Sequence, residues 1–239
     1  MNPKPIIVAL DYNHAADALS LAAKLDPQLC RVKVGKELHT AAGPQVVDAL
    51  MAQGFEVFLD LKFHDIPNTV ASACKVAASQ GVWMMNVHAS GGRKMLVAAR
   101  DAVDSFSGHK PLLIAVTILT SLAQDELSEI GLQTDMKSAV LNYATLAFEA
   151  GLDGVVCSAQ EAAWLKARFG AAFQLVTPGI RLANDASGDQ ARVVSPLDAI
   201  KMGADYLVIG RSITHAPDPI ATLHQINHDL KLLEQKENA

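Results

Sequence analysis

Asp60 and Lys62 stand two residues apart at the end of an apolar run, Glu56-Val57-Phe58-Leu59, that reads as a buried strand. Strand side chains alternate between faces, so this carboxylate and this ammonium project to the same side. Asp65 follows just beyond the strand end. Charges in such a place cost free energy unless they are paired or used in chemistry. A carboxylate, an ammonium and a second carboxylate at this spacing are the parts of a proton-delivery site.

Such a site needs elements to hold it. Short apolar runs alternate with Ala/Leu-rich amphipathic segments along the whole chain. Eight runs read as strands, at 6–11, 31–36, 56–63, 83–89, 112–120, 154–159, 174–180 and 206–212. They are nearly continuous in apolar residues, as strands covered on both faces should be. Helical segments are expected at 15–25, 45–53, 69–80 and 142–150. Pro44, Pro67, Pro196 and Pro219 sit near helix starts, and Gly54, Gly81, Gly151, Gly170 and Gly203 follow helix ends. Gly151-Leu152-Asp153-Gly154-Val155-Val156 resembles Gly203-Ala204-Asp205-Tyr206-Leu207-Val208, a weak internal repeat. Eight β/α units in 239 residues predict a (β/α)8 TIM barrel spanning 1–239 as a single domain. An open doubly wound sheet is the other possibility, weakened because no GxGxxG follows the first strand. Two connections are long: 121–138, with a short helix expected at 124–130, and the polar 181–195, of a length that often serves as a lid.

In a barrel the working residues lie at the C-terminal ends of the strands. Those ends are charged here: Asp11 on the first strand, Lys33 on the second, Asp60 and Lys62 on the third, Arg211 on the eighth. The barrel gathers these around one mouth. Lys33 and Lys62 alternating with Asp60 and Asp65 would offset one another's desolvation. Gly210-Arg211-Ser212-Ile213 reads as a phosphate grip, with glycine admitting backbone N–H groups to an anion and Arg211 adding a charged fork. His64 and His88 lie near the same mouth, but no third ligand accompanies them and Lys62 would repel a cation, so no metal is expected.

The residues resemble the orotidine 5′-phosphate decarboxylase family. Asp60-Leu61-Lys62-Phe63-His64-Asp65-Ile66-Pro67-Asn68-Thr69 is similar to its signature. Ala9-Leu10-Asp11, Lys33-Val34-Gly35, Val116-Thr117-Ile118-Leu119-Thr120-Ser121, Thr177-Pro178-Gly179-Ile180-Arg181 and Ile209-Gly210-Arg211-Ser212 match in order through the chain. The resemblance implies decarboxylation of orotidine 5′-monophosphate (OMP) to UMP in pyrimidine biosynthesis, without a cofactor. It implies a catalytic network of Lys33, Asp60, Lys62 and Asp65, with Lys62 the proton donor to C6 and Asp60 beside the substrate carboxylate. Asp11 and Lys33 would contact the ribose, Thr120 and Ser121 the pyrimidine. Gln190, Gly210 and Arg211 would hold the phosphate, with Arg181 at the base of the lid and Pro178 lining the pocket. Asp65 and Thr69 would reach a neighbouring subunit's site in a homodimer.

Two other functions are weighed. The related 3-keto-L-gulonate 6-phosphate decarboxylases share an Asp-x-Lys-x-x-Asp motif but use Mg2+, with an acidic ligand on the second strand where this chain has Lys33. A non-catalytic phosphate-ligand-binding barrel would need Gly210-Arg211 but not the Lys/Asp array. The net charge of −5 gives no general attraction to nucleic acid or an anionic membrane surface. No apolar stretch approaches the roughly 20 residues of a membrane span. The run Ile6-Ile7-Val8-Ala9-Leu10 is too short for a signal-peptide core. Cys30, Cys74 and Cys157, odd in number and in apolar contexts, read as reduced thiols. A cytoplasmic location is expected.

Overall fold

The structure, a computed structural model, describes residues 2, 4–182 and 193–237. Eight parallel strands close into a barrel in chain order, with β8 returning to pair with β1. They are β1 (Ile6–Ala9), β2 (Arg31–Gly35), β3 (Val57–Phe63), β4 (Met84–His88), β5 (Leu112–Val116), β6 (Gly154–Val156), β7 (Gln174–Thr177) and β8 (Tyr206–Ile209). The helices are α1 (Ala15–Ala22), α2 (Lys36–Ala42), α3 (Gln45–Ala52), α4 (Pro67–Gln80), α5 (Gly92–Asp104), α6 (Met136–Glu149), α7 (Ala159–Phe169), α8 (Pro196–Lys201), α9 (Arg211–Thr214) and α10 (Pro219–Glu237). The barrel predicted from the alternation is the one observed. No described helix is long and apolar enough to cross a membrane.

Alternation along the strands sorts two cores. Inside the barrel, Ile7, Phe58, Met84, Ile114, Val176 and Tyr206 pack as one cluster. The residues between them, such as Val8, Val32, Val57, Met85, Leu113, Val155, Leu175 and Leu207, join the larger core between strands and helices. The interior cluster seals the barrel as a packed plug rather than a pore. Below it the Arg31 guanidinium lies 4.2 Å from the Trp83 ring centroid and pairs with Glu56. The next inward positions up β1, β2 and β3 are Ala9, Lys33 and Asp60, which open to the mouth.

Most strands end earlier than the apolar runs suggest, because the chain beyond the last ladder bond stays buried while it turns into a loop or helix. Ile118 and Ile180 are buried yet lie outside β5 and β7. Pro178 brings no N–H to continue β7. On β6 the run stops because Ser158 caps α7 in a capping box with Glu161. Lys36, expected to finish β2, begins α2, and Arg211 and Ser212, expected on β8, begin α9. The helix expected at 124–130 shrinks to a single 3-10 turn, Asp125–Leu127. The helix expected at 142–150 starts earlier, at Met136, because the Asp135 carboxylate accepts the Ser138 N–H at 2.9 Å. Conversely, α1 stops at Ala22, short of the 15–25 expected. Gly154 is required by contact rather than by backbone angle: a Cβ there would fall onto the Gln174 carbonyl of β7.

Candidate active site

A cavity of about 440 Å3 opens at the C-terminal ends of the strands. That lies within the roughly 300–1,000 Å3 range of small-molecule sites. Its walls carry ten of the residues expected from sequence: Asp11, Lys33, Asp60, Lys62, Thr120, Ser121, Pro178, Arg181, Gly210 and Arg211. Apolar groups, among them Ala9, Phe58, Val156, Val176 and Val208, line the rest.

One wall is a line of alternating charge from β1 to β3. The Lys33 ammonium lies 3.0 Å from Asp11 and 3.4 Å from Asp60. The Lys62 ammonium lies 2.6 Å from Asp60. Lys33 and Asp60 are both buried, so each depends on the other for compensation. Burial opposes the charge on Lys33, but Asp60 and Asp11 together outweigh it and raise its pKa above the ordinary lysine value. Burial likewise opposes ionisation of Asp60. Lys33, Lys62 and the hydrogen bonds from Lys62 and Asn86 overcome it and hold the carboxyl below its ordinary range. Asp60 is therefore the anionic centre of the line. Lys33 also crosses the bare face of Gly35, where a Cβ would come within 2.9 Å of its ammonium.

Lys62 reaches this line by a bulge rather than by plain alternation. Its φ is 53°, the one positive φ at a non-glycine among the described residues. That conformation costs on the order of 1–3 kcal/mol and persists only where the surroundings impose it. The ladder to β4 shifts register between Leu59 and Phe63, so the Asp60-Leu61-Lys62 segment leaves regular pairing.

The other charged end of the cavity combines the turns after β7 and β8. Gly179, Arg181, Gly210 and Arg211 line it, and loops after these two strands form the usual phosphate site of the fold. The Arg181 guanidinium donates to the Ile180 carbonyl at 3.0 Å. Its backbone N–H bonds Val194, and Val194 bonds Gly179, so the two ends of the long β7–α8 connection are fastened together. Gln190, expected on the phosphate, lies outside the described residues, as does most of the expected lid at 181–195.

Asp65 and Thr69 depart from a single-chain site. Both are exposed and neither lines the cavity; the Asp65 carboxylate accepts the N–H of Ile66 at 2.6 Å. Within one chain, the alternation proposed from sequence as Lys33, Asp60, Lys62, Asp65 is instead Asp11, Lys33, Asp60, Lys62. The chain turns outward after Phe63, and Pro67 starts α4 there.

A family model described as Orotidine 5'-phosphate decarboxylase / HUMPS family matches residues 4–226. The chain belongs to this family. It is 57% identical to the orotidine 5'-phosphate decarboxylase of Chromobacterium violaceum, covering 98% of this chain and 94% of the relative. It is 61% identical to that of Laribacter hongkongensis, covering 95% and 93%. Among solved structures, the orotidine 5'-phosphate decarboxylase of Lactobacillus acidophilus is 40% identical with a TM-score of 0.84, covering 94% of this chain and 98% of that one.

Several lining residues were not anticipated: Ile118, Leu119, Thr214 and His215. They follow strand ends by several residues, where no local pattern marks the mouth. Asn86 was missed too, although a lone amide in Met84-Met85-Asn86-Val87 is a legible signal, because a buried polar group needs partners.

His64 and His88 meet, with ring centroids 5.4 Å apart, and among the described residues no group of three candidate ligands could hold a metal. Burial, then the His64, Lys36 and Lys62 charges, push the His88 imidazole down to about 4 against a weaker pull from Asp60. The sign follows from linkage. The unfolded chain takes up this proton near pH 6.5 and the folded chain only near 4, so stability from this group is lost as pH falls between them. The urea midpoint is expected to drop over that window, and His88→Asn to flatten the drop. An unaltered slope in the variant would contradict the assignment.

Proposed function

We propose that this chain decarboxylates orotidine 5′-monophosphate to UMP, in a single barrel domain and in the cytoplasm, with Lys62 as proton donor. The observation that carries this reading is the Asp11–Lys33–Asp60–Lys62 line in a cavity that Gly179, Arg181, Gly210 and Arg211 also line, from the turns after β7 and β8. The ring carboxylate of the substrate belongs beside Asp60 and its phosphate at the two arginines. Thr120 and Ser121 face the pyrimidine, and Asp11 and Lys33 the ribose. When the C6–carboxylate bond breaks, its electron pair stays on C6 with little resonance help. The fixed Lys62 ammonium stabilises that charge and then delivers a proton to C6, which completes UMP and leaves a neutral amine. Binding energy from the distant phosphate offsets the repulsion between Asp60 and the substrate carboxylate.

The Mg2+-dependent sugar-phosphate reading is disfavoured by Lys33. Its ammonium sits between Asp11 and Asp60 and supplies the positive charge that a metal would otherwise bring. The homodimer is part of the proposal. Asp65 and Thr69 lie on an exposed stretch with Ile66, which is 67% exposed, and Val76 on α4 is exposed to the same extent. An apolar, outward-facing segment carrying a carboxylate is suited to completing a second subunit's site. Incubation with orotidine 5′-monophosphate, following loss of its ultraviolet absorbance with and without chelator, tests the function. Turnover that survives the chelator is expected; no turnover, or turnover abolished by it, would overturn the reading.

A further inference from the structure

We propose that Asn86 is a positioning residue for this reaction, holding at once the backbone of Lys62 and the carboxylate of Asp60. The inference rests on the proposed function. Between the pairs Leu59↔Met85 and Phe63↔Val87, three residues of β3 face one residue of β4, and that residue is Asn86. Backbone pairing alone cannot satisfy three residues against one. The Asn86 side chain takes over: its Oδ1 accepts the Lys62 N–H at 2.8 Å, and its Nδ2 donates to Asp60 Oδ1 at 2.7 Å. The amide orientation is forced, because a backbone N–H only donates and a carboxylate only accepts.

The same Asp60 oxygen receives the Lys62 ammonium at 2.6 Å. The result is a closed ring running from the Lys62 backbone through the Asn86 amide and the Asp60 carboxylate to the Lys62 ammonium. Main chain and charged end of one residue are thus tied to a single rigid amide. Asn86 has no exposed surface, so water does not substitute for it. The ring also accounts for the φ of 53° at Lys62, since the bond to Asn86 satisfies an N–H that the bulge takes out of the ladder. Asn86 does not line the cavity. It acts through its neighbours, by fixing where the ammonium points.

Turnover of orotidine 5′-monophosphate by the native chain is measured first, and its absence would overturn the proposed function itself. Given turnover, Asn86→Ala is expected to lower kcat about 100-fold, the scale of a misplacement near 1 Å, while UMP affinity stays within about threefold. Asn86→Asp keeps the volume and the acceptor for the Lys62 N–H but sets a second carboxylate against Asp60. Its kcat is expected to fall at neutral pH and to rise as pH is lowered, when the shared proton restores the donated hydrogen bond. That inverted pH profile is a signature that simple loss of packing does not produce. If Asn86→Ala does not fold, Asn86→Asp carries the test. A native kcat in folded Asn86→Ala, or a native pH profile in Asn86→Asp, would overturn the positioning role and leave the function standing.

Discussion

Lys62→Ala is expected to lower turnover by about 10⁵-fold, the product of a general acid's contribution and that of one electrostatic donor to the transition state. The affinity for UMP should change little. The product carries no ring carboxylate, and in the proposed binding mode its phosphate is held by Arg181 and Arg211, which line the cavity after β7 and β8. The fold should survive the change. Alanine pays the same cost as lysine at the positive φ of position 62, and the Asn86 amide still accepts its N–H. Asp60 retains Lys33 at 3.4 Å and the Asn86 donor, so no buried carboxylate is left unpaired. Steady-state absorbance kinetics gives kcat, and titration with UMP gives the affinity. Near-native turnover would remove Lys62 from its role; lost turnover together with lost UMP binding would mean that the cavity itself had collapsed.

The parts of this site that were readable in the sequence are those that obey a local rule. Unbroken apolar runs separated by helical periodicity forecast a parallel sheet covered on both faces, and the charges at their ends forecast where the mouth would be. Asp60 and Lys62 were readable as neighbours because strand alternation puts them on one side. What alternation could not show is how Lys62 gets there. The bulge opposite Asn86 depends on pairing with β4, a contact of residues 24 apart in sequence. Strand ends were overestimated for a related reason. Ile118 and Ile180 are buried in the larger core although they lie outside β5 and β7, and burial is what an apolar run reports. Asp65 belongs to a third class. Its place in the motif is local, but among the described residues it stands outside the cavity, and the proposed homodimer is what would give it a role in the chemistry.

Asp60→Asn separates two contributions that the native enzyme combines, and it is expected to produce the second largest loss. In the resting site this carboxylate compensates both lysines, at 2.6 and 3.4 Å, which is why its own pKa is held down and that of Lys33 is held up. In the proposed substrate complex it plays the opposite part. Two like charges about 4 Å apart repel by about 4 kcal/mol at an effective dielectric near 20. That repulsion exists before CO2 leaves and vanishes afterwards, so it raises the ground state selectively. An amide removes it and also leaves Lys33 and Lys62 free to attract the substrate carboxylate. Substrate should therefore bind at least as tightly to Asp60→Asn as to the native chain, while kcat falls by about 10³-fold, the equivalent of the lost 4 kcal/mol. UMP binding should barely respond, since the product has no carboxylate to repel. The variant has a pH signature as well. Lys33 loses the larger of its two stabilising carboxylates, so its pKa drops from the raised native position. Stability that the native chain keeps up to that raised value is then lost at lower alkaline pH. Isothermal titration with a non-reactive carboxylate-bearing analogue and with UMP provides the two affinities. If the analogue binds more weakly in Asp60→Asn, the carboxylate is there to organise the lysines rather than to strain the substrate. The loss in kcat would then trace to the position of Lys62, the quantity that Asn86 also controls.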